Sequence, residues 1–223
     1  MTGIILLARL GSQRLPNKAL RGITGRPMVE QVILRCRKTG IPVYLAVPDN
    51  HSYFARLCQH YNLTMFIGSE NDVLERMYHC AMTYHLSNVI RVTADCPMLD
   101  HTLVAKLLAK QQEDPSYEMY AVAAGEGAIE VKAKLFPDGL DAELIPIETL
   151  TKAYIESDDR EHPTLWISHN CKVWMLENVK DQGKWKFSVD TEEELILMDK
   201  LFRRLGDDVS WRKAITYLRN TRL

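Results

Sequence analysis

A cluster of basic side chains follows the first apolar segment of the chain. Residues 3–8 (GIILLA) form that segment, and Arg9, Arg14 and Lys18 come after it, while the first acidic residue is Glu30. One guanidinium group can donate two parallel hydrogen bonds to phosphate oxygens, and a lysine ammonium group acts as a point charge. This pattern predicts a loop that binds a triphosphate and stabilises charge on departing pyrophosphate.

Small residues in this loop allow its backbone to contribute to anion binding. Gly11 and Ser12 let peptide N–H groups approach an anion closely and form a nest. The sequence contains neither the Gly-x-x-x-x-Gly-Lys-Ser/Thr pattern of a P-loop nor the Gly-x-Gly-x-x-Gly pattern of a dinucleotide-binding turn. A basic surface loop beside a core strand is the alternative interpretation, but the position after a buried strand favours anion binding.

Two aspartates follow later strand-like segments. Asp95 comes after residues 89–93 (VIRVT), and Pro97 prevents the strand from continuing. Asp190 precedes three consecutive glutamates. Two carboxylates at neighbouring strand ends, opposite a triphosphate loop, would suit Mg²⁺, which binds a few carboxylates together with phosphate oxygens and water. Taken singly, Asp95 could be a turn residue and Asp190 a helix N-cap.

An alternation of strands and helices must position these residues. In the first half, strands are predicted at residues 3–8, 43–47, 64–67 and 89–93, and helices at residues 27–38, 51–60, 72–85 and 102–112. This β-α-β-α order predicts a parallel sheet with helices on both faces, in which ligands bind beyond the carboxyl ends of the strands. Pro27 suits the first helical turn of its segment.

The second half is less regular and suggests a mixed sheet. Strands are predicted at residues 141–145, 172–176 and 185–189, and helices at residues 148–156, 160–169, 192–205 and 211–219. The chain has 223 residues, 46% of them hydrophobic, which is enough for one large domain with a core.

Composition argues against several classes of function. The formal net charge of −1 gives no overall attraction to nucleic acid or to an anionic membrane. No apolar run reaches the length of a membrane span, and the start of the chain has no signal-peptide pattern. The five cysteines contain no Cys-x-x-Cys and are expected to be reduced thiols. We therefore expect a cytoplasmic protein with no nucleic-acid or membrane partner.

Residues 8–20 (ARLGSQRLPNKAL) resemble the opening motif of the cytidylyltransferases, which include the acylneuraminate and 3-deoxy-manno-octulosonate (KDO) enzymes. Residues 91–100 resemble the second motif of that family, and residues 188–195 resemble its late metal motif. The similarity is greatest to the SpsF-like branch of spore-coat polysaccharide biosynthesis and extends from about Ile4 to about Leu201. It implies a single three-layer α/β/α domain of the nucleotide-diphospho-sugar transferase-like, Rossmann-like type, with a mostly parallel mixed sheet.

The resemblance also implies roles for individual residues. The implied catalytic residues are Arg9, Arg14 and Lys18, and the implied metal ligands, for Mg²⁺, are Asp95 and Asp190. The implied nucleotide-binding residues are Ala8, Arg9, Gly11, Ser12, Arg14, Lys18, Asp72, Arg91, Thr93 and Ala94. The implied acceptor-binding residues are Asp138, Asp141, Glu143, Arg160 and His162.

The implied reaction transfers CMP from CTP to an acidic sugar, a 2-keto-3-deoxy acid, and releases pyrophosphate. Arg160 could bind the sugar carboxylate, and His162 could hydrogen-bond the sugar or relay a proton. An insertion at about residues 121–169 would cover the acceptor and contribute to a homodimer. Sialic acid enzymes carry an additional aspartate where this chain has Ser188, so the number of metal ions stays open and Glu192 could assist.

Residues 68–76 (GSENDVLER) resemble a segment of the SpsF-like branch, which implies a position near the nucleotide and the sugar-facing cleft, but they also have a structural interpretation. Ser69 or Asn71 could cap a helix, and Glu75 or Arg76 could form solvated ion pairs on its surface. Asp72 and Arg76 have the i, i+4 spacing of such a pair on one helix face.

Three other functions stay open. A nucleotidyltransferase that uses a sugar-1-phosphate or an alcohol phosphate usually opens with Gly-Gly, where this chain has Ala8-Arg9. A glycosyltransferase of similar fold commonly holds its metal with Asp-x-Asp, which this sequence lacks. The third alternative is a non-catalytic nucleotide-binding regulator.

Overall fold

A computed structural model of the chain describes residues 1–12, 14–49, 51–124 and 134–221. The strands are β1 (Thr2–Leu7), β2 (Gly22–Ile23), β3 (Arg26–Pro27), β4 (Val43–Val47), β5 (Thr64–Ile67), β6 (Asn88–Thr93), β7 (Met119–Val122), β8 (Glu143–Pro146) and β9 (Val173–Leu176). The helices are α1 (Met28–Arg37), α2 (Ser52–Tyr61), α3 (Val73–Thr83), α4 (His101–Glu113), α5 (Ile147–Glu156), α6 (Leu165–Asn170), α7 (Glu192–Leu205) and α8 (Trp211–Thr221), with a short 3-10 helix at Lys18–Leu20.

Seven of the strands form one mixed sheet in the order β5-β4-β1-β6-β8-β7-β9. β1 lies between β4 and β6 and is parallel to both. β8 runs antiparallel to its neighbours β6 and β7, and β7 and β9 are parallel. The predicted mostly parallel mixed sheet is therefore confirmed.

Helices cover both faces of the sheet because its central strands are apolar on both sides. Along β1, Ile4 and Leu6 belong to one buried core, which includes residues of α1, α2, α4, α7 and α8. Ile5 and Leu7 belong to a second core, which includes residues of α3, α5 and α6. This explains why β1 has a continuous apolar run instead of an alternating pattern, and it confirms the three-layer α/β/α architecture.

Local hydrogen bonds set the starts of the helices that lead away from the carboxyl edge. α4 begins after Asp100, whose side chain accepts from the backbone N–H of Thr102. α7 begins with a capping box formed by Thr191 and Glu194. Because Thr191 is the N-cap, Asp190 does not cap α7, and its carboxylate is available for another role.

The structure corrects several boundaries. Residues 185–189 are not a strand of the sheet; they form one isolated bridge, between Lys186 and Asp138. The helix predicted from residue 160 begins only at Leu165, and Pro27 precedes α1 as its N-cap instead of lying in the first turn. β7 was not predicted from the sequence, although all four of its residues are buried. Among the described residues, no helix combines the length and apolar character needed to cross a membrane.

Candidate active site

The basic loop leaves the carboxyl end of β1 and is anchored in the core. Leu15 and Ala19 are buried, at 2% and 3% exposure. The loop turns sharply because the N–H groups of Ser12 and Asn17 both donate to the carbonyl of Leu10. Two apolar anchors and a tight turn therefore hold the loop at the edge of the sheet.

Lys18 connects this loop to the two predicted metal ligands. Its Nζ atom lies 2.7 Å from Oδ2 of Asp95 and 2.9 Å from Oδ1 of Asp190. The backbone N–H of Val189 donates to the carbonyl oxygen of Asp95, which joins the two acidic segments directly. The structure thus brings both aspartates to one point, although residues 185–189 are not part of the sheet.

Charge interactions outweigh burial at this point. Burial alone would raise the pKa of both aspartates, but the bonds from Lys186 and Lys18 lower the pKa of Asp190 to about 2. The pKa of Asp95 is also lowered, chiefly by Lys18 acting against burial. Burial works against the charged form of Lys18 too, yet Asp95 and Asp190 raise its pKa. All three groups are therefore ionised at neutral pH.

Two further cations lie beside Asp190. The Arg14 guanidinium is 3.2 Å from Oδ1 of Asp190 and is largely exposed. Lys186 Nζ lies 2.8 Å from Oδ2 of Asp190 and 2.7 Å from Glu194. Lys186 was not predicted as a site residue; its position four residues before Asp190 was the only signal in the sequence.

A cavity of about 800 Å³ opens above the carboxyl edge of the sheet. Both predicted metal ligands contribute to its wall, and so does every predicted nucleotide-binding residue except Asp72. The wall also contains four polar or charged residues that were not assigned to the site from the sequence, which are Glu70, Asn71, Arg76 and Glu161.

Asp72 has a structural role in this conformation. Its Oδ1 atom accepts from the N–H of Glu75 at 2.6 Å and caps α3, so neither Ser69 nor Asn71 is the cap. Its Oδ2 atom accepts from Nε of Arg160 at 2.7 Å. The pair that the i, i+4 spacing allows between Asp72 and Arg76 is therefore replaced by a long-range pair with Arg160.

Arg76 is a buried cation in the cavity wall. It is 1% exposed, and its guanidinium donates to the carbonyl of Ser69 while Nε has no hydrogen-bond partner among the described residues. Burial first, and the positive charge of Arg9 second, lower its pKa to about 10. The expectation of a solvated surface pair at this position was wrong, because the sequence does not show which face of α3 is covered.

The predicted acceptor-binding residues are divided between the cavity and its surroundings. His162 lies in the wall, and its Nδ1 atom is 3.0 Å from Asp159. Glu143 accepts two hydrogen bonds from Arg91, a wall residue, at 2.9 and 3.0 Å. Arg160, which is bonded to Asp72, lies outside the wall.

Asp138 and Asp141 lie in the turn that packs against the late acidic segment. Ser188 donates its hydroxyl to Asp138 at 2.7 Å. Asp141 accepts from the N–H of Gly139 at 2.9 Å. The acceptor-binding roles of all these residues stay predictions, and part of the proposed insertion, residues 125–133, lies outside the described residues.

The donor set at Lys18 is compatible with a magnesium ion. Among the described residues, no group of three or more acidic, histidine or cysteine side chains forms a closed metal site. Magnesium does not need such a cage, because it usually binds one or two carboxylates and completes its shell with phosphate oxygens and water. Asp95 and Asp190 supply such a pair, already arranged around a positive charge.

Comparison with known proteins agrees with this site. A family model described as Cytidylyltransferase matches residues 3–138. The chain is 24% identical to the spore coat polysaccharide biosynthesis protein SpsF of Bacillus subtilis (strain 168), over 96% of this chain and 92% of that protein. It is also 24% identical to a 3-deoxy-manno-octulosonate cytidylyltransferase of Geobacter metallireducens, over 88% of this chain and 68% of that protein.

A solved structure shows the same fold. A cytidylyltransferase from Leptospira borgpetersenii superposes with a TM-score of 0.86 at 20% identity, covering 99% of this chain and 94% of that chain. The family model spans more than half of the chain and includes the basic loop, β6 and Asp95. This chain belongs to the cytidylyltransferase family, a family of nucleotidyltransferase enzymes.

Proposed function

We propose that this chain transfers CMP from CTP to a hydroxyl group of an acidic sugar of the 2-keto-3-deoxy class, with release of pyrophosphate and with Mg²⁺ as cofactor. The names of two relatives support this substrate class, one a KDO cytidylyltransferase and the other a protein of polysaccharide biosynthesis. The observation that carries the proposal is the convergence of Lys18, Asp95 and Asp190 within one cavity.

The cavity can accommodate both substrates. Its volume of about 800 Å³ lies in the upper part of the range for small-molecule sites, about 300–1,000 Å³. Basic side chains of the β1 loop line the cavity, and so does His162, which comes from the segment between α5 and α6. A triphosphate on the basic loop would leave the remaining space for a sugar acid.

The chemistry follows from these charges. A hydroxyl oxygen of the acceptor attacks the α-phosphorus of CTP, the bond between that phosphorus and the α–β bridging oxygen breaks, and pyrophosphate leaves. The hydroxyl proton passes to solvent. Arg9, Arg14 and Lys18 hold phosphate oxygens and stabilise the negative charge that accumulates on the leaving group. Catalysis therefore depends on positioning and charge neutralisation.

Asp95 and Asp190 would hold the magnesium ion, which supplies Lewis-acid polarisation of phosphate oxygens when bound. The two carboxylates are ionised at neutral pH and are held in place by their neighbours, as this task requires.

The proposal is tested by pyrophosphate release. Purified protein with CTP and Mg²⁺ is incubated with a panel of acids that includes KDO and acylneuraminate, and in parallel with sugar-1-phosphates and alcohol phosphates. We expect release with at least one sugar acid and with CTP in preference to UTP, GTP and ATP. Release only with a phosphate-bearing acceptor would support the alternative nucleotidyltransferase, and nucleotide binding without turnover would support a regulator.

A further inference from the structure

The position expected for a metal ion is taken by a cation of this chain. Lys18 Nζ lies 2.7 Å from Asp95 Oδ2 and 2.9 Å from Asp190 Oδ1, and its side chain is only 17% exposed. An ammonium group bonded to two carboxylates makes the interactions that a divalent ion would make with the same oxygens. The ammonium and the metal ion therefore cannot both bind at this point.

The same ammonium group is also needed elsewhere. Lys18 belongs to the loop that is proposed to bind the triphosphate, and it lies in the wall of the same cavity. A lysine ammonium is a point charge on a flexible stem, so it can move between partners without movement of the backbone. The backbone beside it is fixed, because Ala19 is buried in the core.

The other cations of the loop show the same pattern. Arg9 pairs with Glu161 at 2.9 Å, and Arg14 pairs with Asp190 at 3.2 Å. Each of the three cations predicted to bind a phosphate is thus paired with a carboxylate of the protein. A triphosphate that enters the cavity must replace these carboxylates as the partner of the basic loop.

We infer that Lys18 is a displaceable internal counter-ion, which closes the metal site of Asp95 and Asp190 until a bound triphosphate draws its ammonium group away. The divalent ion then enters together with the nucleotide instead of before it. The coupling is reciprocal: a nucleotide that removes Lys18 from the aspartates raises their affinity for the metal, and the metal raises the affinity for the nucleotide by the same factor. This inference rests on the proposed function for the identity of the two ligands.

The inference predicts opposite effects on two ligands from one substitution. Lys18→Met removes the internal cation and keeps a side chain of similar length. Mn²⁺ binding is measured without nucleotide by electron paramagnetic resonance. We expect this variant to bind Mn²⁺ about tenfold more tightly than the native protein. That factor corresponds to about 1.4 kcal/mol, which is a small part of the attraction between charges at such short distances. CTP in the presence of EDTA should bind about tenfold more weakly.

Lys186→Met is the matched control. Lys186 also contacts Asp190, at 2.8 Å, but its second partner is Glu194 and not Asp95. We expect this variant to change Mn²⁺ affinity less than Lys18→Met does. Equal tightening in both variants would overturn the inference, because it would show a general effect of charge. Unchanged or weaker Mn²⁺ binding in Lys18→Met would overturn it as well.

A second variant covers the possibility that Lys18→Met does not fold. Lys18→Gln keeps hydrogen-bonding capacity and removes only the charge, and circular dichroism confirms the fold before Mn²⁺ is added. It should show the same tighter Mn²⁺ binding, and a folded variant without it would overturn the inference. The Mn²⁺ measurement involves no reaction, so it can be interpreted even if the substrate panel shows no pyrophosphate release. In the same way, a negative Mn²⁺ result would not contradict the proposed cytidylyltransferase activity.

Discussion

The Nζ atom of Lys18 lies 2.7 Å from Oδ2 of Asp95, across 77 residues of sequence. The contact joins the loop after β1 to the end of β6, and Leu7 and Thr93 are paired residues at the ends of these two neighbouring parallel strands. Parallel pairing therefore places the cation and the carboxylate at the same edge of the sheet, where doubly wound folds bind their ligands.

Asp95→Asn should strongly reduce turnover and leave the fold intact. The substitution removes a charge with little change in shape, so the proposed metal would lose one carboxylate, and Lys18 loses one of its two ionic partners. We expect kcat/KM to fall by about 100- to 1,000-fold, the range for loss of one group that stabilises transition-state charge. Pyrophosphate release measures the activity, and thermal unfolding checks the fold. Normal activity in a folded Asp95→Asn protein would show that Asp95 is not a metal ligand.

Asp190→Asn and Glu192→Gln should separate the two candidates for the late metal ligand. Glu192 is bonded to Arg21 at 2.6 Å and does not contribute to the cavity wall, so the structure gives it no place beside Asp95. We expect Asp190→Asn to lower kcat/KM by about 100-fold or more. Glu192→Gln should stay within about threefold of the native value, since an exposed ion pair contributes little. The reverse order of effects would assign the metal to Glu192.

Gly139→Ala should destabilise the turn that supports the late acidic segment. Gly139 has a positive φ of 86°, and an added Cβ would lie 2.2 Å from the backbone nitrogen of Ser188 and 2.4 Å from the carbonyl carbon of Phe187. We expect a loss of roughly 2–5 kcal/mol in the free energy of unfolding, from strain and steric overlap together. Urea denaturation measures this loss.

Gly25→Ala is the control for backbone strain alone. Gly25 has a similar φ of 81°, and an added Cβ would have no atom within 4 Å. The expected cost is about 1–2 kcal/mol. Equal costs at the two glycines would mean that the contact between Gly139 and Ser188 does not constrain the segment of Asp190.

Asp141→Asn should change the pH dependence of stability. Burial first, and the carboxylates of Glu143 and Asp138 next, raise the pKa of Asp141 to about 7 in the folded protein. In the unfolded chain the pKa is about 3.9, so between the two values only the folded state keeps the proton. The unfolded state binds fewer protons in that window, and Asp141 therefore reduces stability as pH rises from about 4 to 7.

The asparagine variant cannot ionise at this position, so it does not lose stability in this way as the pH rises. Its melting temperature relative to the native protein should be higher at pH 8 than at pH 5. Asparagine can still accept the hydrogen bond from Gly139, so the local geometry is conserved. A difference that does not depend on pH would show that Asp141 is ionised across the whole range.

The sequence predicted the part of the site that local pattern and parallel topology determine. The apolar run of β1, the basic loop and Asp95 after β6 all depend on chain segments whose pairing follows from the β-α-β order. Asp190 was predicted from a strand at residues 185–189 and from the family resemblance. That strand is absent from the sheet, and a backbone hydrogen bond from Val189 to Asp95 is one of the contacts that bring Asp190 to the site.

Long-range pairing and helix orientation could not be predicted in this way. Asp72 pairs with Arg160, 88 residues away, and this choice leaves Arg76 as a buried cation in the cavity wall. No spacing rule indicates which of two arginines an aspartate will select. Lys186 was missed for a related reason, since its role depends on a segment that only tertiary contacts hold beside the sheet.

The most direct measurement is a crystal structure of the protein with CTP and Mn²⁺, with the metal located by anomalous scattering. The expected result is a peak within direct coordination distance of carboxylate oxygens of both Asp95 and Asp190. The triphosphate should lie on the loop that carries Arg9, Arg14 and Lys18. Lys18 Nζ should then contact phosphate oxygens in place of the two carboxylates. A metal ion bound away from these aspartates, or a nucleotide bound away from the basic loop, would contradict the proposed active site.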